Sequence, residues 1–83
     1  MVDRSQSKAM PLTMLQPGHS ARVSGIASRG RGVTQKLTAM GIAPGAELSV
    51  LNTRGGPLLV RIGDSRIALG RGMAHRVMVL PVR

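Results

Sequence analysis

The sequence has no cysteine, no phenylalanine, no tyrosine and no tryptophan, and only three carboxylates (Asp3, Glu47 and Asp64). Without cysteine there is no disulfide framework, no thiolate metal site and no thiol nucleophile. Without aromatic rings there is no platform for base stacking, which gives single-strand binders about 1–3 kcal/mol per base. The core must instead be built from Leu, Val, Ile, Met and Ala, with the six methionines as adaptable fillers. No run approaches the ~18 apolar residues of a membrane span, and no charged-then-apolar signal peptide opens the chain. A cytoplasmic protein is expected. The three carboxylates and the two histidines, His19 and His75, lie far apart in sequence, and no pair of them suggests a catalytic dyad. The chain is not expected to be an enzyme, and no cofactor is expected.

What the chain does have is positive charge. Twelve Lys and Arg, ten of them arginine, give a net charge of +9. Such a balance implies an acidic partner: nucleic acid, anionic lipid or an acidic protein surface. Eighty-three residues make one domain. A chain of this length buries only ~60–65% of its unfolded surface, so the core is thin.

Residues 1–9 are polar and without period, and read as a disordered basic tail; residues 10–83 read as one folded domain. Leu12 and Leu15 form an apolar latch suited to closing one end of a small barrel. A turn at residues 16–19 precedes a strand from Ser20 to Ala27, with Ala21 and Val23 inward and a bulge at Gly25. Ser28 to Gly32 is a basic, flexible loop. Later strands follow at 46–51, from Pro57 through 62, at 66–69 and from 77 to a close at Pro81, with Leu48, Val50, Leu58, Val60, Ile62, Ile67, Leu69, Val77 and Val79 inward. Gly63-Asp64 is a tight turn, and residues 70–75 form a turn or single helical turn. About five short strands and one short helix describe a mainly β fold, a small antiparallel barrel. Arg22, Arg61, Arg66 and Arg76 fall on the outward phase.

The densest local signal lies in Thr34–Val50. Leu37 and Met40 sit three apart on one helical face. Gly41 follows where the helix must stop, and Ile42 is placed to fold back onto its last turn. Pro44-Gly45 suits a type II turn, after which Ala46, Leu48 and Val50 alternate with Glu47 and Ser49.

Gly25 to Gly32 has the glycine spacing of a phosphate loop but lacks the Lys and Ser/Thr that should follow, and the G-x-G pairs at Gly30/Gly32 and Gly70/Gly72 lack a third glycine. Neither is a nucleotide site. His19 and His75 are the candidates for a weak metal contact, with Glu47 and Asp64 as the carboxylates present. The basic loops give the candidate partner-binding set of Arg29, Arg31, Lys36, Arg71, Met73 and Arg76. Charge on a thin-cored barrel also serves solubility alone.

The stretch Leu37-Thr38-Ala39-Met40-Gly41-Ile42-Ala43-Pro44-Gly45, running on to Leu48 and Val50, resembles the L-x-x-(L/M)-G-(I/L)-x-P-G signature of the FeoA domain. The resemblance continues through Gly56-Pro57-Leu58 and the Ile67-to-Val79 ending, and includes the opening Leu12 to Gly18. It implies an SH3-like barrel and a small accessory of ferrous iron uptake, working with the large membrane GTPase transporter FeoB and reaching the membrane only through it. The same unit resembles the C-terminal domain of iron-dependent repressors, but no helix-turn-helix precedes it here, so a repressor is not expected. A different class of function is a basic barrel that holds nucleic acid by phosphate contacts alone; the resemblance implies no nucleic acid. An Fe(II)-carrying chaperone would need more ligands than the sequence assembles.

Overall fold

The computed structural model describes residues 9–27 and 31–82. Six strands run in chain order: β1 Met10–Pro11, β2 Ser20–Ile26, β3 Glu47–Asn52, β4 Leu58–Ile62, β5 Ser65–Leu69 and β6 Val77–Val82. Helix α1 spans Arg31–Ala39, α2 spans Arg71–Ala74, and a 3₁₀ turn covers Leu12–Met14. Every described pairing is antiparallel, in the order β1-β6-β2-β3-β4-β5.

The strand beyond the expected five is β1, which runs just ahead of the Leu12/Leu15 latch. Met10 and Pro11 pair with Val79 and Met78, and the chain then turns at Leu12. Two residues carry too little alternation to show as a strand in the sequence. β6 also runs past Pro81, which pairs with Ala21. Among the described residues the pairing with β1 extends only to Val79, and no described strand faces Pro81 on that side, where its missing N–H is tolerated.

Alternation places the core as expected. Ala21, Val23, Leu48, Val50, Leu58, Val60, Leu69, Val77 and Val79 are all buried, while Ile62 and Ile67 are half-buried. Leu12 and Leu15 close one end. No polar side chain is buried among the described residues. The bulge falls at Gly25, where the β2–β6 register shifts between Val23 and Gly25.

Helix α1 begins earlier than the sequence suggests. Arg31 and Gly32, read as the end of a flexible loop, lie in its first turn. A glycine costs a helix about 1 kcal/mol relative to alanine, which masks the start. Val33 supplies the missing anchor: it packs against the core one turn before Leu37, so the apolar face reads Val33, Leu37, Met40. Gly41 adopts φ 91° and ends the helix. Gly45 has φ 94° and the Ala46 N–H donates to the Ala43 carbonyl at 2.9 Å, completing the type II turn. That turn is tied to β2 by Gly45 N–H to Val23 O and Val23 N–H to Ala46 O, both 2.8 Å.

Candidate functional site

The predicted partner residues divide into two groups. Arg71, Met73 and Arg76 lie on or beside α2, and Lys36 is exposed on α1. Arg29 lies outside the described residues. Arg31 is placed by its backbone alone, in the first turn of α1.

A single helical turn has little stability of its own, and α2 is held by its neighbours. The Arg71 Nη2 donates to the Thr53 carbonyl in the β3–β4 loop. That loop is itself shaped by the Arg54 N–H donating to Asn52 Oδ1 at 2.9 Å. The His75 N–H caps the turn onto the Arg71 carbonyl at 2.9 Å, and its ring Nδ1 lies 3.4 Å from Thr13 Oγ1 on the 3₁₀ turn. The Arg76 carbonyl accepts from the Ala27 N–H at 2.7 Å, so the end of β2 meets the exit of α2. Ala74 is fully buried beneath. Three separate parts of the chain thus converge on one turn that carries two exposed arginines.

Met73 is half-buried and packed against the core, so it is chiefly a filler with one exposed side. Met14, in the 3₁₀ turn that touches α2, is far more exposed, at 66%. Sequence reading passed over it because Leu12 and Leu15 took the apolar pattern of that segment. Met14 places an exposed, adaptable apolar side chain on the turn that touches α2.

The histidines are not brought together. His75 sits at α2, whereas His19 is exposed beyond the Pro17-Gly18 turn and lines a shallow groove with Gly18, Ser20, Glu47 and Val82. Glu47 is paired across strands with Arg22 at 3.8 Å. No group of three His, Asp or Glu side chains able to hold a metal ion exists among the described residues. His19 with Glu47 makes two ligands at most.

Sequence reading also missed how two outward arginines are arranged. Arg61 and Arg66 stand directly opposite one another on β4 and β5. The signal was the two-residue turn Gly63-Asp64, which fixes that register. No helix among the described residues is long and apolar enough to cross a membrane.

Against known proteins, the model of the FeoA domain matches residues 10–81. The inferred Fe(2+) transport protein A of Methanocaldococcus jannaschii is 38% identical over 69 residues, 83% of each chain. A crystal structure of an iron uptake regulatory protein, FeoA, superposes with a TM-score of 0.83 at 39% identity, covering 90% of this chain and 99% of that one. Stenotrophomonas maltophilia FeoA, solved with zinc and described as a prokaryotic SH3 domain protein, gives a TM-score of 0.78 at 30% identity, covering 90% and 98%. The six antiparallel strands therefore form an SH3-like fold. With its signature, fold and relatives in agreement, the chain belongs to the FeoA domain family of ferrous iron transport accessory proteins.

Proposed function

We propose that this chain is a cytoplasmic docking module of ferrous iron uptake that binds an acidic face of the cytosolic region of a FeoB-type membrane GTPase transporter. The observation that carries the reading is the α2 turn. Arg71 and Arg76 are exposed there, on a segment held to the β3–β4 loop, the 3₁₀ turn and the end of β2. Holding the turn lowers the ordering cost of association, and electrostatic complementarity supplies on-rate and selectivity. Met14 and the exposed side of Met73 give the contact an apolar centre. Lys36, exposed on α1, extends the basic surface, and Arg29 and Arg31 are the further candidates that the sequence offers. No bond is made or broken by the protein. Weak transition-metal contact at His19 or His75 is a side property in this reading and not its mechanism.

The test is a tagged pull-down from solubilised membranes of the native host, with nuclease present and with Arg71→Glu/Arg76→Glu as the paired variant. Recovery of the transporter by the unaltered chain at moderate salt, and its loss in the variant, is expected. Recovery of nucleic acid and its usual proteins, abolished by nuclease, would favour the phosphate-contact reading instead. That reading also predicts a steep fall of affinity with salt.

A further inference from the structure

The sheet order leaves β5 at an edge, with β4 on one side and no strand on the other among the described residues. The two-residue loop sets Ile62 opposite Ser65, and the register then runs Arg61↔Arg66, Val60↔Ile67 and Leu59↔Ala68. In a hairpin of this kind the pair flanking the loop exchanges both ladder bonds, and bonded and non-bonded pairs alternate from there. Ser65, Ile67 and Leu69 therefore direct their backbone groups to β4. Arg66 and Ala68 turn theirs to the open edge, and no described backbone group outside the sheet bonds to either.

The side chains add a preference of charge. Arg61 and Arg66 form a non-bonded pair, the closer kind, with Cα atoms about 4.5 Å apart. Both are exposed, and among the described residues neither has a carboxylate within 4.0 Å; the Arg61 Nε donates to the Gly63 carbonyl at 3.2 Å. Like charges directly opposite one another are unfavourable in a sheet, so this pair is better satisfied by an acidic neighbour than by itself. Ile67 belongs to the inward phase yet is only half-buried, as an uncovered edge leaves it.

We propose that the β5 edge is a second docking site, taking an extended acidic segment of a partner protein as an added antiparallel or parallel strand. Its backbone bonds the outward N–H and C=O groups of Arg66 and Ala68. Its carboxylates lie beside Arg66 within reach of Arg61, and its alternate apolar side chains cover Ile67. Strand addition of this form takes affinity from the main chain and selectivity from alternate side chains. A second copy of this chain is disfavoured, because it would bring more positive charge to the arginine pair at a net charge of +9. An edge arginine that blocks self-pairing thus admits an acidic strand.

The test uses the full chain, labelled for amide NMR, titrated with a short peptide alternating glutamate and valine and with its lysine–valine counterpart. Slowed hydrogen exchange at the Arg66 and Ala68 amides with the glutamate peptide alone is expected. Ala68→Pro removes an outward N–H without touching the β4 ladder. It should weaken binding about tenfold, as should Arg66→Gln, which leaves the backbone intact. The proposal is overturned by unchanged exchange at millimolar peptide, or by equal binding of the lysine peptide. Edge protection that instead grows with protein concentration would assign the edge to a second copy. Displacement of the peptide from these amides by duplex DNA would assign it to phosphate. The edge is read at the Arg66 and Ala68 amides and α2 by the Arg71→Glu/Arg76→Glu pull-down, so either docking site can fail without the other.

Discussion

The Ile42 N–H donates to the Leu37 carbonyl at 2.9 Å, and both side chains are fully buried. With Gly41 N–H to Thr38 O, also 2.9 Å, this is a Schellman ending: two orphan carbonyls of α1 are satisfied while the chain folds back onto the helix. It converts a nine-residue helix, marginal alone, into part of the barrel's cover. Everything rests on Gly41 holding φ 91°. A Cβ there would lie 3.7 Å from Ile62 Cγ2, an ordinary contact, so space is available and conformation is the obstacle. Gly41→Ala is therefore expected to cost about 1–2 kcal/mol in urea unfolding, with Gly41→Asn costing less. An alanine variant as stable as the parent would show that the turn can relax.

The core has no aromatic side chain and few large ones, so each carries a large share of stability. Ile42→Ala and Leu37→Ala are each expected to lose about 2–5 kcal/mol, and Ile42→Val about 0.5–1.5 kcal/mol. Against a total of about 5–15 kcal/mol for a domain, either alanine variant approaches unfolding at physiological temperature. Thermal melts followed by circular dichroism measure this.

The elements with redundant local signals could be read from sequence: the Met40-Gly41-Ile42 stop, the Pro44-Gly45 turn, the bulge at Gly25 and the alternating strands. Each states its conformation within a few residues. Three features could not be read that way. The start of α1 is hidden by Gly32 and revealed only by Val33 packing on the core. The strand at Met10–Pro11 exists through its pairing with Val79 and Met78, nearly seventy residues away in sequence. The convergence on α2 depends on Thr53, Thr13 and Ala27, none of which carries a local mark of contact with it. Composition foretold a basic surface, but only register disclosed which arginines stand together.

Arg22 and Glu47 are cross-strand partners on β2 and β3, 3.8 Å apart with both side chains 57% exposed. An exposed pair at this distance contributes about 0–1 kcal/mol. Arg22→Ala and Glu47→Gln should each shift the urea midpoint only slightly, and a double-mutant cycle should give a coupling that shrinks as salt is added. A coupling of several kcal/mol, or one insensitive to salt, would contradict the exposed geometry.

Arg61 and Arg66 present the opposite case, a cross-strand pair of one sign in the closer register. Replacing Arg66 with Gln keeps an unbranched polar side chain at the edge while removing the repulsion. Arg66→Gln is expected to stabilise the domain by about 0.2–1 kcal/mol at low salt, with the gain disappearing in high salt. Arg61→Gln should do the same, and the two gains should not add, because either removes the one repulsive contact. Such a result would identify a pair that costs the free protein stability, as expected of residues whose favourable neighbour arrives only in a complex. No gain from either substitution would mean that the guanidiniums already splay apart, and would remove the electrostatic half of the argument for an acidic strand at the β5 edge.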